Sequence, residues 1–357
     1  MINKVTLSDI AKELGVSVTT VHRALIGKGR ISEETRSKIV NKANELNYQS
    51  NIVASSLSSK KQYNIAYMCP NNFFYEEIIN GAKAATKDQR IFGVKTDYIL
   101  SEDYNPQVQI EQLNRIINDH FYDAVAISPC HKLLLNPLIN ELVDHGVPVI
   151  TFNNDASTSK RICFVGENSY LAGQMPAQIY EKILPQDSNI AIMQSMVSAE
   201  GLALRVQGFV DYLSKKNKLK IIGIYDFYDN INDAYLASKQ ILLTTKTQAI
   251  YVNSMMGTIG TARAIKELGR QNDVFMIGYD FNEELSNYIQ EDIIFGTLVQ
   301  SPFKQGYYSI QLLCKILTSK MNLLELNHHL LTNTHLLIKS NLIQNEEKDT
   351  PIFSKLL

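Results

Sequence analysis

The stretch Thr6-Leu-Ser-Asp-Ile-Ala-Lys-Glu-Leu-Gly-Val-Ser-Val-Thr-Thr-Val-His-Arg-Ala-Leu25 decides how the amino end folds. Thr6 and Asp9 have the spacing of a capping box, and Val5 and Ile10 that of a hydrophobic staple, so a helix begins after Thr6. Ile10, Ala11 and Leu14 share one face, and Gly15 suits a C-terminus that needs positive φ. Ser17 caps a second helix, with Val16 and Val21 as its staple. Val21 and Leu25 are its expected buried pair, while Val18, Thr19, His22 and Arg23 point outward. Gly27 and Gly29 break the chain. Ser32 then caps a third helix, whose first turn carries Glu33 and Glu34 where the dipole favours acids. Ile39, Ala43 and Leu46 close a small core. A helix–turn–helix of this kind lays its second helix in the major groove of duplex DNA. Spacing alone leaves a generic helical hairpin open.

The wording of the same stretch, continued by Ile31-Ser-Glu-Glu-Thr-Arg36, Leu46-Asn-Tyr48 and Asn51-Ile-Val-Ala-Ser-Ser-Leu57, closely resembles the lac-repressor (LacI/GalR) family of bacterial transcription regulators. The resemblance implies that Val18, Thr19 and Arg23 read bases. A guanidinium such as that of Arg23 can bond O6 and N7 of one guanine together. It also implies phosphate contacts for Thr6, Ser17, Thr20 and His22, and a backbone contact for Asn51. The segment from Asn51 to Leu57 is too short to be a stable helix in water. By the resemblance it orders on DNA beside its twin from a second subunit, with Leu57 wedged into the minor groove. Two departures stand out: His22 replaces the usual Ser, and Gln49-Ser50 replaces a frequent Arg-Pro, so no relative's operator sequence carries over. A solvated helix face is the alternative for Val18 and Thr19, and docking on its own domain is the alternative for Leu57.

Charge agrees with a DNA-facing end. The first 61 residues hold ten Lys and Arg against five Asp and Glu, and the remainder 25 against 31, for a net charge of −1 overall. Ser55, Ser56, Ser58, Ser59, Lys60 and Lys61 read as a polar, basic connector.

From Tyr63 the pattern changes. Short apolar runs at Ile65–Met68, Lys95–Leu100, Ala124–Ile127, Val147–Phe152, Ile190–Met193, Ile221–Ile224, Ala249–Val252 and Val274–Gly278 alternate with helical stretches such as Phe74–Asp88, Gln107–Asp119, Leu202–Leu213 and Thr258–Leu268. Such alternation means parallel sheets covered by helices. About 300 residues exceed one sheet and suggest two Rossmann-like lobes facing across a cleft, where sheets of this type bind ligands beyond their strand ends. The expected fold is an all-α helix–turn–helix head joined to an α/β two-lobe domain. Expected boundaries are 1–50 for the head, 51–62 for hinge helix and linker, 63–340 for the effector and dimerisation domain and 341–357 for a tail. Within the domain, lobe 1 takes about 63–166 and 301–327, and lobe 2 about 167–300 and 328–340.

Short motifs at strand ends resemble the periplasmic ribose-binding type of sugar receptor, which the lac-repressor family carries behind its head. They are Asn72-Phe-Phe-Tyr75, Pro148-Val-Ile-Thr-Phe-Asn-Asn154, Val165-Gly-Glu-Asn168, Arg205-Val-Gln-Gly208, Ile277-Gly-Tyr-Asp280 and Gly296-Thr-Leu-Val-Gln300. The resemblance implies an aromatic wall from Phe74 and Tyr75, and hydroxyl-binding roles for Asn72, Asn153, Arg205, Asp280 and Gln300, with Asn253 or Ser254 as another. Sugars need flat apolar walls and bifunctional polar groups, and Arg205 and Asp280 can each grip two hydroxyls. Strand-end capping and lobe-to-lobe bonding are the alternatives for these residues. Asn153-Asn154 replaces the acid and Arg of the ribose receptors, which leaves the sugar's identity open.

Other chemistry has little support. Cys69, Cys130, Cys163 and Cys314 are scattered without metal spacing, and His328 and His329 are adjacent and poorly placed for joint ligation. There is no phosphate-cradling Gly loop, nucleophile elbow or His-Glu-x-x-His, so no enzyme and no cofactor are expected. With no signal peptide and no membrane-length apolar run, a soluble cytoplasmic homodimer is expected, acting on a near-palindromic operator under control of a sugar. The alternatives are control by a non-sugar ligand or a protein corepressor, a sugar transport receptor, and a nucleotide-using α/β enzyme.

Overall fold

The computed structural model describes residues 5–25, 29, 31–46, 61–102, 105–195, 198–318 and 326–342. The chain divides into two compact units, residues 1–61 and 62–357.

The first unit holds α1 (Leu7–Leu14), α2 (Val18–Leu25) and α3 (Glu33–Glu45). The capping box at α1 is reciprocal: Asp9 N donates to Thr6 Oγ1 at 3.3 Å, and Thr6 N donates to Asp9 Oδ2 at 2.8 Å. Gly15, at φ +64°, ends α1, where a side chain would be strained. Ser17 caps α2 through Thr20 N at 3.1 Å, and Ser32 caps α3 through Thr35 N at 3.2 Å. Ile10, Ala11, Val21, Ala24, Ile39 and Ala43 form the buried core. Leu25 was the expected partner of Val21; instead the small Ala24 is buried among the three helices, and Leu25 lies half-buried at the margin with Leu14 and Leu46.

The second unit is built on two six-stranded sheets. The first joins β1 (Tyr63–Pro70), β2 (Val94–Ser101), β3 (Ala124–Ile127), β4 (Val149–Phe152), β5 (Cys163–Gly166) and β11 (His329–Leu331) in the order β11-β5-β4-β3-β1-β2, all parallel. The second joins β6 (Asn189–Ser195), β7 (Lys220–Phe227), β8 (Ala249–Val252), β9 (Phe275–Tyr279), β10 (Gly296–Val299) and β12 (His335–Ile338) in the order β12-β10-β9-β8-β6-β7, with only β12 antiparallel. The two orders are the same, strand for strand. Both faces of each sheet are covered: Ile65, Tyr67 and Cys69 enter one core while Ala66 and Met68 enter another, and Ala191 and Met193 part from Ile190 and Ile192 likewise. Burial on both faces is why central strands read as unbroken apolar runs.

The helices are α4 (Phe73–Gln89), α5 (Pro106–Asp119), α6 (Asn136–Asp144), α7 (Ser169–Ile183), α8 (Glu200–Ser214), α9 (Ile231–Thr244), α10 (Met255–Glu267), α11 (Glu283–Gln290) and α12 (Pro302–Thr318). α12 returns to the first sheet, where Ile310, Leu313 and Cys314 pack with Ile65 and Tyr67. The chain therefore crosses between sheets after β5, after β10 and after β11. The last crossing differs from the expected one at 328: β11 pairs with β5, His329 opposite Phe164, so residues up to Leu331 belong to the first lobe and the crossing spans 332–334. The strand is only three exposed residues long, too short to write a strand period. No helix among the described residues is long and apolar enough to cross a membrane.

One device recurs in both lobes. On the second, α7 and α8 meet at Gly173 and Gly208, where an added Cβ would lie 2.0 Å from the Arg205 carbonyl oxygen and 2.0 Å from that of Tyr170. On the first, Gly81 of α4 and Gly306 of α12 meet the Phe303 and Ile78 carbonyl oxygens at 2.0 and 1.8 Å. Gly173→Ala is expected to push α8 outward and destabilise the chain by about 1–3 kcal/mol, as overpacking does. A lower urea midpoint at an unchanged slope is the expected result; an unmoved midpoint contradicts the close approach.

Candidate functional site

On the first unit, α2 presents Val18, 45% exposed, together with exposed Thr19, His22 and Arg23 on the side away from Val21 and Ala24. The stem of Arg23 runs beside Gly29, at φ +88°, where an added Cβ would come within 3.3 Å of Arg23 Cδ. Thr6, Ser17 and Thr20 lie at the starts of α1 and α2, and their hydroxyls take part in the caps; Ser17 Oγ and Thr20 Oγ1 are 2.8 Å apart. These helix starts offer the N–H groups that suit phosphates. Asn51 and Leu57 lie outside the described residues.

On the second unit, a narrow pocket opens between the lobes at the strand ends. Asn72, Phe74, Asn153, Arg205, Asp280 and Gln300 line it, as the sequence reading expects. Ser254 lines it too, whereas Asn253 does not. Asn253 is fully buried and holds strand-end backbone: its Oδ1 accepts from Ser195 N at 2.9 Å and its Nδ2 donates to Leu202 O at 3.0 Å. Tyr75 is no wall either. It lies fully buried behind Phe74, edge to face at 5.2 Å, and its hydroxyl donates to Asn153 Oδ1 at 3.0 Å. On the first turn of α4 only one of two successive aromatics can face the cleft, and the other must turn into the core.

The polar groups form a chain across the cleft. Asn153 Nδ2 donates to Gln300 Oε1 at 3.1 Å and to Gln305 Oε1 at 3.2 Å, and Gln300 Nε2 donates to Asp280 Oδ1 at 2.9 Å. Asn153 and Asp280 end the equivalent strands β4 and β9, both in the left-handed region at φ +61° and +63°. Asn72 Oδ1 caps α4 through Phe74 N at 3.1 Å, which leaves its amide nitrogen without a partner among the described residues. The lobes also touch at the rim: Lys132 N donates to Ser198 O at 2.9 Å, and Ser157 N to Glu200 Oε2 at 3.1 Å.

Arg205 forms the most constrained group. Its Nε donates to Glu167 Oε1 at 2.6 Å and its Nη1 to Asn253 O at 2.8 Å, and its guanidinium carbon lies 3.9 Å from the centre of the Tyr279 ring. Glu167 also accepts from Thr334 Oγ1 at 2.9 Å, so the pair reaches the third crossing. Burial alone would lower the Arg205 pKa, but Glu167, Tyr279 and Asp280 hold it above its ordinary value. Burial raises Asp280 to about 7, with Arg205 and Gln300 opposing. Burial also raises Asp229, against hydroxyl bonds from Ser254 at 2.9 Å and Ser195 at 3.0 Å.

Sequence reasoning missed Asp229, Asn154, Gly201, Leu202, Met255 and Met256 on the pocket wall. Asp229 had a signal: it stands two residues beyond β7. That edge strand alternates exposed and half-buried residues up to the buried Phe227, so only part of it reads as an apolar run and its true end is hidden.

Comparison with known proteins agrees with both units. The family described as "Periplasmic binding protein domain" matches residues 65–321, and that described as "Bacterial regulatory proteins, lacI family" matches residues 6–51. The probable HTH-type transcriptional repressor ExuR of Bacillus subtilis is 28% identical over 292 residues, covering 77% of this chain and 81% of that protein. Catabolite control protein A of Priestia megaterium is 25% identical over 329 residues, covering 88% and 93%. Among solved structures, the glucose-galactose binding protein GanP from Geobacillus stearothermophilus matches with a TM-score of 0.73 at 26% identity, over 79% of this chain and 99% of that one. The arabinose binding protein AraP from the same organism shares the fold, with a TM-score of 0.66 at 22% identity over 79% and 98%.

The position of Asp280 makes stability depend on pH. Between 3.8, the ordinary Asp value, and about 7, the folded chain keeps a proton that the unfolded chain has released. The carboxyl therefore favours folding at low pH, and that contribution is lost as the pH rises through about 7. Asp280→Asn keeps a side chain at ease at positive φ and removes the titration. The melting temperature of the variant relative to the native chain is expected to rise from about pH 5 to about pH 8, by the equivalent of a few kcal/mol. A difference that stays level over that range contradicts the buried carboxyl.

Proposed function

The chain belongs to the lacI family of bacterial regulatory proteins and carries a periplasmic binding protein domain, and from that premise we propose that it regulates transcription as a homodimer whose grip on a near-palindromic operator is set by a sugar held between the lobes. The observation that carries this reading is the combination, in one chain, of an outward-facing α2 with Arg23 and a two-lobe cleft whose wall pairs Phe74 with Asn153, Arg205, Asp280 and Gln300. The head spans 1–50 and the hinge 51–62. Val18, Thr19 and Arg23 read bases in the major groove, while Thr6, Ser17, Thr20 and His22 contact phosphates. Asn51 contacts the backbone, and Leu57 enters the minor groove beside its twin.

The sugar stacks a C–H face on Phe74, and its hydroxyls meet the free edges of Asn72, Arg205, Asp280 and Gln300. The similarity to a glucose-galactose binding protein supports this choice of ligand class. Sugar binding shifts the balance of lobe closure. Closure changes the spacing of the two subunits where each enters β1 at Tyr63, and that favours or disfavours the paired hinge. The coupling is reciprocal and of the usual size, about 1–3 kcal/mol.

Two substitutions separate the halves of the proposal. Arg23→Ala is expected to abolish preference among randomised operator sequences and leave sugar-induced thermal stabilisation intact; an unaltered site profile sinks the assignment of α2. Asp280→Ala is expected to abolish thermal stabilisation by a panel of hexoses and pentoses while sparing DNA affinity without ligand. A variant that still responds at native sugar concentrations sinks the assignment of the cleft.

A further inference from the structure

The cleft has a charge balance that the fold does not require. Arg205 is the one cation on its wall among the described residues, and it already has a carboxylate partner in Glu167. Two more carboxylates, Asp229 and Asp280, face the same space. Asp280 is 5% exposed and gives Oδ1 to Gln300; its other oxygen has no partner among the described residues. Asp229 binds the two serine hydroxyls through Oδ1, which leaves its second oxygen in the same condition.

The geometry of Arg205 limits what it can add. A guanidinium holds a carboxylate or phosphate best through two parallel N–H groups on one edge. Here Nε donates to Glu167 and Nη1 to Asn253 O, so the Nε edge is closed and Nη1 is half engaged. The first lobe supplies neutral groups, the carboxamides of Asn72, Asn153 and Asn154 and the Phe74 ring, and the rest of the wall adds Ser254, Gln300 and the apolar Leu202, Met255 and Met256. An anionic ligand would face two carboxylates beyond the one that Arg205 already balances, an arrangement that discriminates against it.

Building on the sugar reading, we propose that this cleft selects its effector by charge, admitting neutral and amine-bearing sugars and rejecting uronates and sugar phosphates. Asp229 and Asp280 are the residues that reject them. A neutral hydroxyl donates to either carboxylate, and a protonated amine also balances their charge.

Matched sugars test this on the full chain by thermal shift and calorimetry at about pH 8, above the value to which burial raises Asp280. The probes are galactose, galactosamine and galacturonate, and glucose, glucosamine, glucuronate and glucose 6-phosphate. In whichever series binds, the acid and phosphate are expected to bind on the order of 100-fold more weakly than the neutral or amine-bearing member. Asp229→Asn is expected to narrow that gap. A uronate or phosphate that stabilises the native chain more than its neutral counterpart overturns charge selection and leaves the sugar reading standing. Silence from every probe overturns both.

Discussion

The buried pair between Arg205 and Glu167 is the constraint on which the rest of the cleft depends. Neither group can be removed alone without leaving an isolated charge out of water, which typically costs about 3–5 kcal/mol. The pair by itself is a weak source of stability, because desolvating both ions offsets most of their attraction. Its consequence is positional. Glu167 is fixed from three sides, by Arg205 Nε, by Thr334 Oγ1 and by Ser169 Oγ at 3.4 Å. Arg205 is fixed by Glu167, by the Asn253 carbonyl and by the Tyr279 ring. A group touching the free end of this guanidinium therefore bears, through one carboxylate, on the chain that crosses between the lobes. The helix carrying Arg205 is held at backbone distance from α7 by the glycine crossing, so it has little room to yield.

The two lobes are the same strand order used twice, and the cleft gains its specificity where the copies differ. Asn153 and Asp280 follow the fourth strand of their sheets, and Glu167 and Gln300 follow the fifth. At each level one side is charged and the other is a carboxamide. The acid at the first crossing, Glu167, is used inside the protein, on Arg205, whereas Asp280 stands open to the pocket. The left-handed backbone at Asn153 and Asp280 turns both side chains over the strand ends toward the space between the lobes. Asn and Asp are the residues other than glycine that tolerate this conformation most easily.

What the sequence disclosed follows from how local each signal is. The caps at Thr6, Ser17 and Ser32 and the positive φ at Gly15 depend on neighbours three or four residues away, and all are legible in the order of residues. The central strands are legible because burial on both faces leaves no polar interruption. The pocket was legible as a set of strand ends, which brought together Asn72, Phe74, Asn153, Arg205, Asp280 and Gln300. Direction was not. Tyr75 and Asn253 sit beside true lining residues, and only the packing of the lobe decides which of two neighbours turns inward. Strand β11 was hidden because three residues are too few to show a period, and Asp229 because the apolar run of β7 stops before the strand does.

The bonds that span the cleft are of a different strength from the pair beneath it. Asn153 to Gln300 and Lys132 to Ser198 are hydrogen bonds between neutral groups, each worth about 1 kcal/mol net. An open form can replace them with water at little loss. A ligand that touches both lobes exchanges such bonds for its own, and its differential contacts amount to a few kcal/mol, comparable to the closure it must influence. Had the ion pair itself spanned the lobes, opening would expose or strand a charge, and the closed form would persist whatever was bound. Keeping the charges on one side, at the crossing, and the neutral carboxamides across the gap is what leaves closure within reach of a small uncharged molecule.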